Sequence, residues 1–126
     1  MSALSDFDLD LAYGHEGESL VNELLTGGKT VEVKRDRKWQ ITGNIYIEIA
    51  CYFQGTQSWK DSGLITSKAS YWAFVLNSMV LLISYDDLVQ AVARYGIQTE
   101  CKIEPNRSRG YLITVENLIK VAKGEQ

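Results

Sequence analysis

Residues 30–36, TVEVKRD, place a carboxylate and an ammonium two positions apart in a segment where apolar and charged residues alternate. An alternation with a period of two is typical of a half-buried strand whose charged side chains share one face. Glu32 and Lys34 are therefore expected to leave the sheet on the same side. Carboxylates bind Mg²⁺, the metal polarises a phosphate and acidifies a bound water, and a nearby lysine can orient that water. The pair suits phosphodiester hydrolysis, although an exposed, salt-bridged strand face has the same pattern.

A helix is expected over residues 13–25, because apolar residues recur there at helical spacing and a pair of glycines follows as a stop signal. Glu18 precedes Val21 by three positions and Leu25 by seven, so on a helix it lies on their inward edge. The helix therefore directs a carboxylate at whatever surface it covers.

A second strand is expected over residues 43–53, because this segment is rich in β-branched and aromatic residues. Only residues 37–42 separate the two strands, so we expect an antiparallel hairpin that brings Glu48 within reach of the charged face of residues 30–36. Asp36 continues that face. Because crowded carboxylates repel one another unless a cation is present, the convergence of these acids on one lysine favours a metal site. The candidate catalytic residues are Glu18, Glu32, Lys34, Asp36 and Glu48.

Charge is distributed unevenly along a chain whose net charge is −3. The first 26 residues carry six Asp or Glu and no Lys or Arg, whereas the next 12 carry five Lys or Arg. Such an arrangement is explained either by a solvated, salt-bridged surface or by a divalent-metal site next to a phosphate-binding strip. A further lysine is expected at the start of a helix over residues 68–76, where its ammonium and the helix N-terminus can meet a phosphate together. The candidate nucleic-acid-binding residues are Arg35, Arg37, Lys38 and Lys68.

The rest of the chain predicts a loop and alternating helices and strands. We expect a loop over residues 54–61, a helix over 68–76, a strand over 79–84, a helix over 88–95, an edge strand over 97–103, a basic turn over 107–110 and a closing helix over 115–123. Trp72 and Phe74 belong to the core in this scheme, whereas Trp39, Trp59 and Tyr71 are candidates for stacking on unpaired bases. The order of elements predicts an α/β domain with a mixed sheet flanked by helices.

Composition limits the class of protein. A length of 126 residues with 45% hydrophobic content supports one core, so we expect a single domain over residues 1–126. No apolar run approaches the roughly 20 residues of a membrane span, and the acidic N-terminus is unlike a signal peptide, so a soluble cytoplasmic protein is expected. Cys51 and Cys101 form no CxxC pair, and the single histidine, His15, cannot complete a zinc site alone. Both cysteines are expected to be reduced and packed.

Four segments in order, GHEGESLVNELL, TVEVKRD, TGNIYIEI and SGLITSKASYWAFVL, resemble small phage-type members of the PD-(D/E)XK nuclease superfamily over roughly residues 10 to 83. The resemblance implies a restriction-endonuclease-like αβββαβ core, Mg²⁺ as cofactor with Mn²⁺ as a substitute, and DNA as the partner. It also implies recombination, repair, restriction or packaging as the context, and host cytoplasm as the location of a phage-encoded chain. By this likeness Glu18 corresponds to the helix acid, Glu32 and Lys34 to the ExK pair or its displaced equivalent, and Glu48 to the acid on the adjacent strand. The implied metal ligands are Glu18, Glu32 and Glu48.

The resemblance departs from the usual pattern at one point. A typical member has an Asp on a strand before ExK, but only five residues separate the first helix from the first strand here. Either Glu32 takes the place of that Asp, with Glu48 as the following acid, or Asp36 has migrated into the role. The first version keeps all side chains on one sheet face, and we prefer it. It puts Ala50 where the lysine usually stands, so Lys34 must substitute from the neighbouring strand.

Two other functions remain open from the sequence. A nucleic-acid-binding module that kept a nuclease-like fold without catalysis is consistent with Ala50, and it would be indifferent to Mg²⁺. An acidic protein-interaction subunit, with the N-terminal acids as its binding surface, would have no affinity for DNA. Self-association into a homodimer is also left open.

Overall fold

The computed structural model of the protein describes residues 3–36 and 39–125 and divides between Thr30 and Val31 into two compact units. In chain order the elements are α1 (Ala3–Leu25), β1 (Val31–Arg35), α2 (Trp39–Thr42), β2 (Asn44–Phe53), β3 (Ser58–Asp61), β4 (Tyr71–Leu76), β5 (Met79–Ser84), α3 (Tyr85–Tyr95), β6 (Ile97–Cys101), β7 (Ser108–Thr114) and α4 (Val115–Ala122). The fold is α/β with a mixed sheet, as the sequence predicts.

The N-terminal unit consists of α1 and the turn that follows it. The helix ends at Leu25 as predicted, and Gly27 takes a φ of +81° just beyond, a conformation that glycine adopts without steric cost. It begins at Ala3, earlier than the predicted start at Tyr13. No proline interrupts the sequence before Tyr13, so the helical hydrogen-bond ladder can continue toward the N-terminus.

The C-terminal unit contains two sheets. A three-stranded mixed sheet has the order β1-β4-β5, in which β1 is parallel to β4 and β4 is antiparallel to β5. A four-stranded antiparallel sheet has the order β3-β2-β7-β6, with a β-bulge in β2 between Glu48 and Ala50. Both cysteines are free and half-buried in this second sheet.

α3 and α4 pack against each other and against strands of both sheets, and the core lies between them. Each helix begins at a side-chain cap: the hydroxyl of Ser84 accepts the N–H of Asp87, and that of Thr114 accepts the N–H of Asn117. The largest fully buried side chains are Trp72, Phe74, Ile45, Ile47, Leu88, Ile113 and Leu118. The prediction that Trp72 and Phe74 belong to the core is confirmed.

The predicted hairpin between residues 30–36 and 43–53 is wrong. Both segments are strands, but β1 pairs in parallel with β4 and β2 pairs with β3 and β7, so the two lie in different sheets. Asn44 faces Thr114 at one end of the β2–β7 ladder, and this long-range pairing buries Ile45 and Ile47. A short connection favours a hairpin only where pairing with a distant strand would not bury more apolar surface.

Several other predicted elements differ from the structure. The predicted helix over residues 68–76 is wrong, because Tyr71–Leu76 is β4 and three consecutive residues, Trp72, Ala73 and Phe74, are all buried. A strand covered on both faces loses its alternation and mimics a buried helix in sequence. The predicted loop over 54–61 contains β3, and the predicted basic turn over 107–110 begins β7. The strand over 79–84, the helices ending at 95 and 122, and the edge strand from Ile97 are confirmed within a few residues.

Candidate functional site

The ExK pair lies on β1, with both side chains on the same side of the strand. Lys34 Nζ is 3.1 Å from Glu32 Oε1, and both side chains remain accessible, at 46% and 42% exposure. The ammonium also lies 5.6 Å from the ring centroid of Trp72, which faces Glu32 in the β1–β4 register. The prediction that the two charged groups share a face is therefore confirmed. The buried indole limits where the Lys34 stem can lie, because its apolar part packs along the ring.

Asp36 follows directly after β1 and connects the two sheets. Its Oδ2 accepts the backbone N–H of Tyr46 over 3.0 Å, so the carboxylate contacts the beginning of β2. Asp36 lines a cleft of about 610 Å³ together with Arg35 and Tyr46. A cleft of this volume is in the usual range for a small-molecule site.

Tyr46 lies on the wall of this cleft and is half-buried. Its hydroxyl is 2.7 Å from Oγ of Ser108, a side chain that is only 5% exposed. Burial raises the pKa of the Tyr46 phenol above 10.0, the hydrogen bond with Ser108 opposes that rise, and the charges of Glu48 and Glu100 add to it. Tyr46 therefore remains a neutral phenol at physiological pH and can donate a hydrogen bond.

Glu48 lies in the middle of β2 and is oriented by the loop that precedes β4. Its Oε2 accepts a hydrogen bond from Ser62 Oγ over 2.8 Å, and its backbone carbonyl accepts the N–H of Leu64 over 2.9 Å. Gly63, between these two residues, has a φ of +54°, and a Cβ added there would lie 2.1 Å from the carbonyl oxygen of Glu48. Only glycine permits this approach, so the SGL sequence is the local cause of the Glu48 position. Glu48 also lines a second cleft of about 440 Å³ with Tyr52 and Asn106.

The remaining candidates lie on other elements of the chain. Glu18 lies on α1 in the N-terminal unit, and its side chain is exposed. Lys68 is exposed in the loop before β4 and not at a helix N-terminus, because the predicted helix does not form. Arg35 is exposed at the end of β1, whereas Arg37 and Lys38 lie outside the described residues. Within residues 3–36 and 39–125, no group of three His, Cys, Asp or Glu is arranged to hold a metal ion.

Sequence reasoning missed two sets of residues near this site. Ser62 and Gly63 were part of the fourth resembling segment, but nothing in a single sequence assigns them to Glu48, since 14 residues separate Ser62 from that carboxylate. Arg107 and Arg109 were assigned to a turn, although both guanidinium groups lie over Trp59. Large side chains alternate with small residues over 107–111, where Ser108 and Gly110 separate Arg107, Arg109 and Tyr111. This period of two was the available signal for a strand there.

No protein-family model, curated protein or solved structure matches this chain. None of the helices in the described part of the chain is long and apolar enough to cross a membrane. Function is therefore inferred from the site residues and from the resemblance of the four segments.

Proposed function

We propose that this chain is a metal-dependent deoxyribonuclease that hydrolyses phosphodiester bonds in phage DNA recombination, repair or processing. The observation that carries the proposal is the Glu32–Lys34 pair, held at 3.1 Å on one side of β1 and accessible to a substrate. A carboxylate beside an ammonium on one side of a strand is an arrangement that phosphoryl chemistry can use to bind a cation and to stabilise negative charge. Asp36, the first residue after β1, adds a second carboxylate two positions beyond Lys34.

The relation between the resembling segments also supports this proposal. Ser62 and Gly63 belong to the fourth segment, and they orient the carboxylate of Glu48 in the third. A restriction-endonuclease-like αβββαβ core is part of the same proposal. The order of the four resembling segments and the presence of a mixed sheet support it.

Among the side chains of the candidate site, Lys34 has the most direct role in the proposed hydrolysis. Its ammonium is 3.1 Å from the Glu32 carboxylate and remains accessible, so it can contact a phosphate that is bound beside β1. Positive charge at that position stabilises the charge that develops on the phosphate oxygens as the bond breaks. The Trp72 ring beneath the lysine keeps the ammonium near β1 without neutralising it.

Mg²⁺, with Mn²⁺ as a substitute, is the cofactor that this donor set would take, because hard divalent cations prefer carboxylate oxygens. The described carboxylates do not converge on a three-ligand site. Each has a protein partner instead: Lys34 for Glu32, the N–H of Tyr46 for Asp36, and Ser62 for Glu48. A metal would compete with these contacts, and we assign no catalytic step to it.

The test is a cleavage assay on linear, nicked, branched and single-stranded DNA with Mg²⁺, with Mn²⁺ and with EDTA. We expect cleavage with either metal and none with EDTA. Glu32→Gln removes the charge but keeps the shape, so it should abolish cleavage, whereas Glu116→Gln on the exposed first turn of α4 is the matched control and should cleave normally. A homogeneous, folded protein that cleaves none of these substrates with either metal would contradict the proposal.

The second candidate is a DNA-binding module without catalysis. It is favoured by Ala50, which stands where the resemblance implies the usual lysine. Such a module binds DNA through phosphate contacts, so its affinity falls steeply with salt and does not change between Mg²⁺ and EDTA at equal ionic strength. Binding with this behaviour and no cleavage would select it over the nuclease.

A further inference from the structure

Two aromatic rings and two guanidinium groups form a layered cluster at one end of the four-stranded sheet. The rings of Tyr52 and Trp59 lie 5.5 Å apart between centroids. Arg109 lies 3.9 Å from the Trp59 centroid, and Arg107 lies 5.1 Å from that of Tyr52 and 5.5 Å from that of Trp59. We call Tyr52, Trp59, Arg107 and Arg109 the arginine–aromatic cluster.

Strand register produces this cluster. Tyr52 on β2 directly faces Trp59 on β3, and its N–H donates to the carbonyl of Arg107 on the other side. Arg109 on β7 faces Ala50 on β2. Because β2 lies between β7 and β3, the Arg109 side chain must cross β2 to reach Trp59, and Ala50 is the residue that it crosses. A methyl group at this position leaves the space that the arginine occupies.

Acidic residues fix the guanidinium groups without covering them. Glu100 lies 3.3 Å from Nε of Arg109 and 3.9 Å from Nη2 of Arg107, and Glu104 lies 3.8 Å from Nε of Arg107. The contact with Glu100 limits the positions that the Arg109 guanidinium can take over the indole. The Arg109 side chain is still 46% exposed, and neither of its Nη groups takes part in an ion pair with any described residue. One face of a planar, oriented guanidinium therefore remains open.

We propose that the arginine–aromatic cluster binds single-stranded nucleic acid, with one base stacked on the open face of Arg109 and its phosphate near the Nη groups. Unstacked bases are bound in this way on arginine planes and aromatic rings, without dependence on sequence. A double helix cannot offer the face of an internal base, so the cluster selects single strands or frayed ends. The choice of nucleic acid over another ligand rests on the proposed nuclease function.

Neighbouring features agree with a single strand as the occupant. Tyr52 belongs both to the cluster and to the lining of the 440 Å³ cleft that Glu48 also lines, so the cluster and this cleft adjoin along β2. Glu100 and Glu104 offset the positive charge of the two arginines locally. Base stacking therefore supplies affinity beside the phosphate contact, and the phosphate contact makes the affinity fall as the salt concentration rises.

The test measures the anisotropy of a fluorescent oligo(dT) in EDTA, so that binding is recorded without cleavage. Arg109→Lys keeps the charge but loses the plane, and we expect its affinity for oligo(dT) to fall at least about tenfold, the scale of one lost base stack. Ala50→Leu should weaken binding similarly by filling the path of Arg109, with all four members of the cluster intact. Arg94→Lys, on the exposed side of α3, is the matched control and should bind like the unmodified protein. Thermal unfolding establishes that each variant is folded.

Three outcomes would overturn the proposal: Arg109→Lys binding as tightly as the unmodified protein, duplex binding that falls in parallel with oligo(dT) binding, or an acidic peptide that binds the cluster where oligo(dT) does not. Failure of the two proposals can be told apart. An unmodified protein that cleaves DNA but does not bind oligo(dT) would exclude the cluster proposal only, whereas an unmodified protein that binds oligo(dT) in EDTA but cleaves DNA under no condition would exclude the nuclease proposal only.

Discussion

Ser62 donates a hydrogen bond to the carboxylate of Glu48 over 2.8 Å and so ties the loop before β4 to the middle of β2. The two residues are held together by Gly63, whose Cα approaches the Glu48 carbonyl more closely than any residue with a side chain could. This contact joins the residue that follows β3 to the neighbouring strand β2. It also means that the orientation of Glu48 can be changed without changing Glu48 itself.

Gly63→Ala should destabilise the protein substantially. The added Cβ would lie 2.1 Å from the Glu48 carbonyl oxygen at a φ of +54°, so both steric overlap and backbone strain oppose folding. We expect a loss of about 2 kcal/mol or more in the free energy of unfolding, measured by urea denaturation. Gly55→Ala is the control, since nothing lies within 4 Å of a Cβ there and its φ is not positive, and it should be nearly neutral. Equal stability of the two variants would refute the close approach.

Glu32→Ala and Glu48→Ala should each abolish cleavage while leaving the fold intact. Neither side chain is fully buried, so their removal creates no core cavity. Circular dichroism and single-turnover cleavage with Mg²⁺ measure the two properties. Ser62→Ala should keep Glu48 in place but lose its orientation, with a smaller fall in rate. Full activity of Glu32→Ala or of Glu48→Ala would remove that residue from the site.

Lys34→Ala should lose about a hundredfold or more in the rate of single-turnover cleavage and keep most of its DNA affinity. Removing one preorganised electrostatic group from a transition state has this magnitude. Stability should change little, because an exposed ion pair contributes at most about 1 kcal/mol. Lys123→Ala, which breaks the exposed 3.4 Å pair with Glu125, is the control. Normal cleavage with weaker binding would make Lys34 a DNA-binding residue, and Lys68 would be the next candidate for the catalytic lysine.

The basic strip of Arg35, Arg37 and Lys38 should affect DNA affinity and not the chemical step. Phosphate contacts of this kind position the nucleic acid and release counterions. Replacing all three residues with Gln should weaken binding and reduce the slope of log affinity against log salt by up to about 3, which is close to one per lost contact. Titrations of duplex DNA at several salt concentrations in EDTA measure both effects. An unchanged slope would mean that these side chains are only solvated.

Tyr46 should make stability depend on alkaline pH. Because the pKa of its phenol is raised in the folded state, the folded protein holds this proton more tightly than the unfolded chain does. Its contribution is fully present below pH 10.0, the ordinary pKa, and is lost as pH rises through the higher folded value. Tyr46→Phe removes that dependence and leaves the buried Ser108 hydroxyl without its partner, at a cost of about 1 to 2 kcal/mol at neutral pH. Urea denaturation at pH 7 and above pH 10 compares the two proteins, and parallel losses in both would exclude Tyr46 as the source.

Local features of the fold were predictable because neighbouring residues cause them. Ser84 and Thr114 cap α3 and α4 with their own hydroxyls, and both helices were predicted from the sequence within a few residues, although these two caps were not. The shared face of Glu32 and Lys34 is equally local, since two positions along any strand return a side chain to the same side. These statements need no knowledge of what the strand pairs with.

Tertiary structure decided which strands pair with each other and which side chains are brought together by that pairing. The chain by itself determined that residues 31–35 and 44–53 are strands, but long-range burial of Ile45 and Ile47 put them in different sheets. The same choice removed Lys68 from a helix N-terminus and brought Arg109 across Ala50 to Trp59. Backbone hydrogen bonding is nearly the same for any strand pair, so it does not select a partner. Selection comes from the apolar area that each pairing buries, and that area is a property of the assembled fold.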